Sequence, residues 1–176
     1  MTRPFVFAVT GVKNSGKTTL MEKLIRALSA RGLRVASIKH DAHAFEPDVP
    51  GRDSHRHRAA GAYGSAVFDA DKFMVIKNGP RTIEDMLGFF EDADIILLEG
   101  ARETDYPKAE IVRGGNSSRP ISNPASMVAL VTDLELCVEG VPTLGLDDVE
   151  GVVVRILEAA ARDAGGSALR PPPGGG

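Results

Sequence analysis

Apolar residues fall along this chain in short runs, separated by stretches in which they recur every three or four positions. Phe5 to Val9 is a run of β-formers that leads into a glycine-containing stretch, the pattern of a buried strand ending at a turn. From Thr18 to Ala30, Leu20, Leu24, Ile25 and Leu28 recur at helical spacing, Arg26 and Arg31 complement the carboxyl end, and Gly32 supplies a stop. Leu33 to Ile38 is β-rich, so the strand, loop, helix and strand form a crossover unit and predict a parallel pair. Farther on, Gly64 to Phe68 and Phe73 to Ile76 predict two strands joined by the polar DADK. Thr82 can cap a helix through Phe90, with Glu84 and Asp85 in its first turn. Asp94 to Leu98 and Met127 to Val131 are apolar strands, Pro142 to Leu146 is a short one, and Val149 to Ala161 is an amphipathic helix. Strands that are apolar throughout and alternate with helices predict an α/β fold, a mostly parallel sheet with helices on both faces.

Composition narrows this picture. A chain of 176 residues suits one domain, taken as residues 1–163, followed by a Gly/Pro-rich tail at 164–176 that is expected to be disordered. A formal charge of -3 provides no global basic field, so no nucleic-acid partner is expected. No apolar run approaches the roughly 18 to 20 residues that cross a bilayer, so no membrane role is expected either. The single cysteine, Cys137, excludes an internal disulfide, and the first residues carry no secretory signal pattern. A cytoplasmic protein is expected, with Cys137 as an inert core thiol.

The chemistry concentrates in GVKNSGKTT, residues 11 to 19. Gly11, Gly16, Lys17 and Thr18 satisfy G-x-x-x-x-G-K-[ST], and the stretch lies between a predicted strand and a predicted helix, the context that pattern requires. Its glycines let backbone N–H groups curl around a phosphate, and the helix start adds a positive dipole end. Lys17 supplies charge to the outer phosphates, and the Thr18 hydroxyl can ligate Mg²⁺. An acidic partner is needed for the metal or the attacking water. Glu99, closing the apolar strand, and Asp41, just after the second strand, stand at the sheet edge where ligands of open α/β sheets gather. Asp94, at the opposite end of its strand, is expected to be structural.

His40, His43, His55 and His57 fall in one stretch beside Asp41 and Asp53, a donor set that could hold zinc or nickel, although the spacing matches no closed site. DSHRHRAAGA otherwise predicts a helix capped by Asp53 or Ser54, with Arg56 and Arg58 facing solvent or an anion. The segment from Asp41 to Arg58, which also carries Arg52, is too charged for a core and long for a plain connection. Its guanidinium groups suit the outer phosphate of a nucleotide or the terminal phosphate of a pterin.

With these residues in view, the chain resembles the molybdopterin-guanine dinucleotide biosynthesis adaptor proteins, the MobB family. The resemblance rests on GVKNSGKTTL, KHDAHAFEPDVPGRDSHRHRAAGA, DIILLEGARETDYPKAEIVR and MVALVTD, in that order, across roughly residues 5 to 160. It implies a GTP-binding protein of the P-loop class that acts as a homodimer and hydrolyses GTP slowly. Its implied role is to assist a molybdenum cofactor guanylyltransferase in attaching GMP to molybdopterin. It further implies that Gly11, Asn14, Ser15, Gly16, Lys17, Thr18 and Thr19 bind phosphates and Mg²⁺, with Asp41 and Glu99 supporting metal and water. Thr132-Asp133 stands where related GTPases carry an aspartate that accepts from guanine. The chain lacks the full N-K-x-D signature, which leaves base identity open, and Val12 occupies the position where some relatives place a lysine that reaches a dimer partner. An ATP-dependent kinase or ligase and a metal-insertion GTPase are the alternative readings.

Overall fold

The computed structural model describes residues 3–40, 45 and 47–165; Asp41, His43 and most of the tail therefore lie outside the described residues. Eight strands and four helices follow in the order β1 (Phe5–Gly11), α1 (Lys17–Ser29), β2 (Val35–Lys39), α2 (Asp53–Ala59), β3 (Gly64–Phe68), β4 (Phe73–Lys77), α3 (Ile83–Leu87), β5 (Ile95–Glu99), β6 (Lys108–Val112), β7 (Met127–Thr132), β8 (Thr143–Leu144) and α4 (Val149–Asp163). Contacts divide the chain into a smaller unit, Asp41–Ile83, and a larger one containing the rest.

The larger unit is built on a six-stranded sheet ordered β2-β5-β1-β6-β7-β8, and every pair in it is parallel. It is the α/β sheet that the apolar runs predict, except that β1 and β2, expected to pair with each other, are separated by the more apolar β5, which pairs with both. Alternation within the strands sorts the side chains into two faces. Phe5, Phe7, Val9, Ile95, Leu97, Ile111 and Val131 pack against Leu20, Leu24 and Leu28 of α1 and Val152, Val153 and Ile156 of α4. The two long helices thus share one face of the sheet. Asp94, as expected, is structural: its Oδ2 accepts from the Arg34 N–H at 2.7 Å.

The other face carries an element that hydropathy does not reveal. β6 reads KAEIV, and both Lys108 and Glu110 are fully buried beside the central strand, paired in register with Ala8 and Thr10 of β1. Burial of unpaired charge is prohibitive, so each must be satisfied by neighbours. Lys108 Nζ donates to the carbonyls of Arg102 and Thr104. Burial holds its ammonium below the usual lysine range, an effect that the nearby carboxylates of Asp105, Glu103 and Glu110 oppose. Glu110 accepts from the Ile121 N–H at 2.6 Å and the Ser122 N–H at 2.8 Å, and the Ser122 hydroxyl lies 3.0 Å from that of Thr10. The loops on either side of β6 are therefore tied down over this face by two buried charges.

Three local expectations are corrected. The predicted helix through Phe90 ends at Leu87 and continues as a single 3₁₀ turn, Gly88–Phe90. Cys137 is exposed, because Leu134, Leu136 and Val138 take the inward positions of an alternating segment and leave residue 137 facing solvent. In the smaller unit the N-cap of α2 is Arg52 rather than Asp53 or Ser54. Asp48 organises that helix start, accepting from the Val49 N–H at 2.9 Å and the Ser54 hydroxyl at 3.1 Å.

The rest of the smaller unit is a β3–β4 antiparallel hairpin in which, among the described residues, each strand pairs only with the other. Phe68 and Phe73 stand opposite each other and are 80% and 71% exposed. No helix among the described residues is long and apolar enough to cross a membrane.

Glu110→Ala should leave two buried N–H groups without an acceptor and cost about 3 kcal/mol in urea unfolding. Glu110→Gln should recover only part of that, because its amide oxygen accepts from one N–H while its amide nitrogen turns a donor toward the other. A loss below about 1 kcal/mol in Glu110→Ala would remove the anchoring role of this carboxylate.

Candidate functional site

The site is assembled where β1, β5 and β2 end side by side. β1 gives way to the glycine-containing loop at Gly11, where φ is 140° and a Cβ would lie 2.6 Å from the Ile111 carbonyl oxygen and 2.7 Å from Ser15 Oγ. No residue with a side chain fits there. Asn14 (φ 61°) and Gly16 (φ 102°) are also left-handed, and together they fold the loop back before α1 starts at Lys17. The first N–H groups of α1 have no intrahelical acceptor and point out of the helix start, a polar rim suited to an anion.

Ser15 Oγ is buried without a hydrogen-bond partner among the described residues, a cost that an oxyanion in the loop would remove. Lys17 folds over the loop, its Nζ donating to the Gly11 carbonyl at 3.1 Å and the Val12 carbonyl at 2.7 Å. Burial lowers its pKa from the usual lysine value; the Glu99 carboxylate opposes this shift and the Lys39 charge adds to it. These features fit a phosphate chain.

The acidic partner is Glu99, at the end of β5 and 8% exposed. The Thr18 hydroxyl is 3.2 Å from both of its carboxylate oxygens, and Lys39 Nζ, from the end of β2, lies 3.5 Å from Oε1. A hydroxyl and a carboxylate converging at a phosphate loop are the hard oxygen donors that suit Mg²⁺. The turn after Glu99 is tight: Gly100 has φ 92°, and a Cβ there would lie 3.0 Å from the His40 carbonyl oxygen.

The other predicted residues sit on several different elements. Thr19 lines a pocket of about 160 Å³ beside the loop, together with Ser15, Gly16, Lys23, Arg113 and Asp147 among others. Thr132 and Asp133 close β7 but do not line that pocket. Thr132 Oγ1 accepts from the Leu134 N–H at 3.0 Å, and Asp133 Oδ1 accepts from the Gly114 N–H at 2.7 Å. Arg56 and Arg58 belong to α2 of the smaller unit; Arg56 is exposed and 3.5 Å from Asp53, whereas Arg58 is nearly buried and 3.6 Å from Asp48 Oδ2. Among the described residues, no three His, Cys, Asp or Glu side chains converge as a metal site.

Sequence pattern did not flag Lys39, Arg113 or Asn116. Lys39 lies within SIKHDAH, two positions before Asp41, and its role comes only from facing Glu99 across the sheet. Asn116 donates its amide to the Lys13 carbonyl at 2.9 Å, bracing the loop from a segment about a hundred residues away in sequence, and no local signal announces it.

The model of the family described as molybdopterin guanine dinucleotide synthesis protein B matches residues 6–133. The molybdopterin-guanine dinucleotide biosynthesis adapter protein of Escherichia coli (strain K12) is 33% identical over 161 residues, covering 87% of this chain and 91% of the relative. A crystal structure of Bacillus subtilis MobB superposes with a TM-score of 0.68 at 25% identity, covering 86% of this chain and 97% of that one. The MobB homolog of Bacillus stearothermophilus does so with a TM-score of 0.65 at 22% identity, covering 89% and 98%, and shares the fold. The family model's match over most of the chain, together with a relative 33% identical along nearly its whole length, shows that the protein belongs to the molybdopterin guanine dinucleotide synthesis protein B family.

Proposed function

We propose that this protein is an adapter in molybdopterin guanine dinucleotide biosynthesis. In this reading it binds GTP with Mg²⁺ and assists a guanylyltransferase that joins GMP to molybdopterin. The observation that carries the nucleotide part is the convergence of Lys17, Thr18 and Glu99 at the end of β1 and β5, around a loop whose buried Ser15 hydroxyl lacks a partner among the described residues. The role in the pathway rests on the family and its curated relatives.

The residues act in a definite order. The loop N–H groups and the Ser15 hydroxyl bind the phosphate chain, and Lys17 exchanges the Gly11 and Val12 carbonyls for outer phosphate oxygens. Thr18 and Glu99 would hold Mg²⁺, which when bound neutralises phosphate charge. Lys39 holds the Glu99 carboxylate in place beside the Thr18 hydroxyl. In this reading Glu99 orients the attacking water, and hydrolysis is slow. Slow turnover suits an adapter, whose bound state must persist long enough for a partner to use it.

The family reading also carries a homodimer. The hairpin with its exposed Phe68 and Phe73 and its self-paired strands is the surface we assign to a second copy.

Lys17→Ala should reduce triphosphate affinity by at least tenfold in calorimetry while circular dichroism stays native; unchanged affinity would defeat the phosphate-loop assignment. Glu99→Gln should lower the hydrolysis rate by about tenfold or more and leave GTP binding intact or tighter. Lost binding with unchanged turnover would place Glu99 outside the reacting centre. Sedimentation of the wild type should report a dimer, and the Phe68→Asp, Phe73→Asp variant a folded monomer; a variant that remains dimeric moves the interface elsewhere.

A further inference from the structure

The pocket beside the loop has a direction. Ser15, Gly16 and Thr19 form one end, where the phosphates are placed, and Val131 and Leu146 give it apolar walls. The far end is polar: Lys23, one helical turn beyond Thr19, meets Asp147 from the segment between β8 and α4, Nζ to Oδ1 at 2.8 Å. Asp147 is the only carboxylate among the lining residues, and its side chain is 92% exposed, open to a group that enters the pocket.

Asp133, which the sequence offers for base recognition, is placed differently. It does not line the pocket, and one of its oxygens is committed to the Gly114 N–H. From these two placements we infer that Asp147, and not Asp133, is the residue that selects the base, accepting hydrogen bonds from the adjacent N1–H and N2–H donors of a guanine whose phosphates occupy the loop. This rests on the nucleotide-binding reading above.

The chemistry is discriminating. A carboxylate has about four acceptor positions, so the Lys23 contact occupies one and fixes the group while others remain for the base. Adenine offers a lone pair at N1 in place of a donor, which a carboxylate repels, whereas guanine offers two neighbouring donors. The hydrogen bond and charge of Lys23 hold the Asp147 carboxyl below the usual carboxylate range, so it is an acceptor at neutral pH.

The test uses GTP, ATP, XTP and inorganic tripolyphosphate in equilibrium binding to the full chain, as wild type, Asp147→Asn and Asp133→Asn. Xanthine keeps N1–H but carries a carbonyl at C2, so an asparagine amide suits it as a carboxylate suits guanine. Wild type should prefer GTP over ATP by at least tenfold. Asp147→Asn should lose about tenfold for GTP and gain a similar factor for XTP, with tripolyphosphate unchanged, while Asp133→Asn keeps the wild-type order. The inference is overturned if Asp147→Asn retains the GTP preference, if Asp133→Asn is the variant that turns to XTP, or if Asp147→Asn loses tripolyphosphate binding in step with GTP. Wild type that binds GTP and ATP equally overturns this inference alone, whereas wild type that binds no nucleotide overturns the nucleotide-binding reading with it.

Discussion

The structure depends on a close approach at Gly11. There the backbone of the central strand turns aside with its Cα so near the Ile111 carbonyl and the Ser15 hydroxyl that a single methyl group would collide with both. Everything at the site follows from that turn. It ends β1 and releases the chain into a loop, allows α1 to begin at Lys17, and brings the helix start opposite Glu99 at the end of the neighbouring strand. The strands that carry these termini are fully buried, so the turn rests on a rigid base. Rigidity matters because hydrogen-bond donors placed before the ligand arrives need no reorganisation when it does.

A second constraint operates on the face of the sheet away from the long helices. Two charged residues on β6 are buried among apolar strands, and each is satisfied by backbone groups of a flanking loop rather than by an opposite charge. Main-chain partners make the arrangement specific in a way that apolar packing does not, since a shift of one residue would strand a charge. Glu110 fixes the segment at Ile121 and Ser122, and Asn116, in that same segment, reaches the Lys13 carbonyl of the loop. The glycine-containing loop is therefore braced by a segment that Glu110 itself anchors.

Much of this was legible in the sequence where the determinants are contiguous. The loop needs its glycines, lysine and threonine within eight positions, so GVKNSGKTT announces both its geometry and its neighbours, and the apolar strands β1, β5 and β7 announce the parallel sheet. β6 was hidden because KAEIV reads as half polar, and the groups that make its charges tolerable lie in other segments. The outward position of Cys137 is hidden for a related reason: inward and outward positions alternate there, and composition alone does not say which set the odd residue joins. Asp133 illustrates the limit for function. Its place after a strand is visible in the sequence, but the Gly114 N–H that engages its carboxylate, and the pocket that it does not line, exist only in three dimensions.

The strand order also governs the sequence of events as the chain is made. Within the main sheet β1 and β2 are made before the other strands, yet they do not pair: β5 lies between them and pairs with both. Until the ribosome has delivered the whole of the smaller unit and then β5, the two early strands have an empty place between them and no partner to close it. The hairpin, whose contacts are local, can form during that interval, whereas the nucleation of the main sheet must wait for a distant segment. The apolar residues of β1 are thus the longest exposed during biosynthesis, and the helix α1 that follows directly is the first cover available to them.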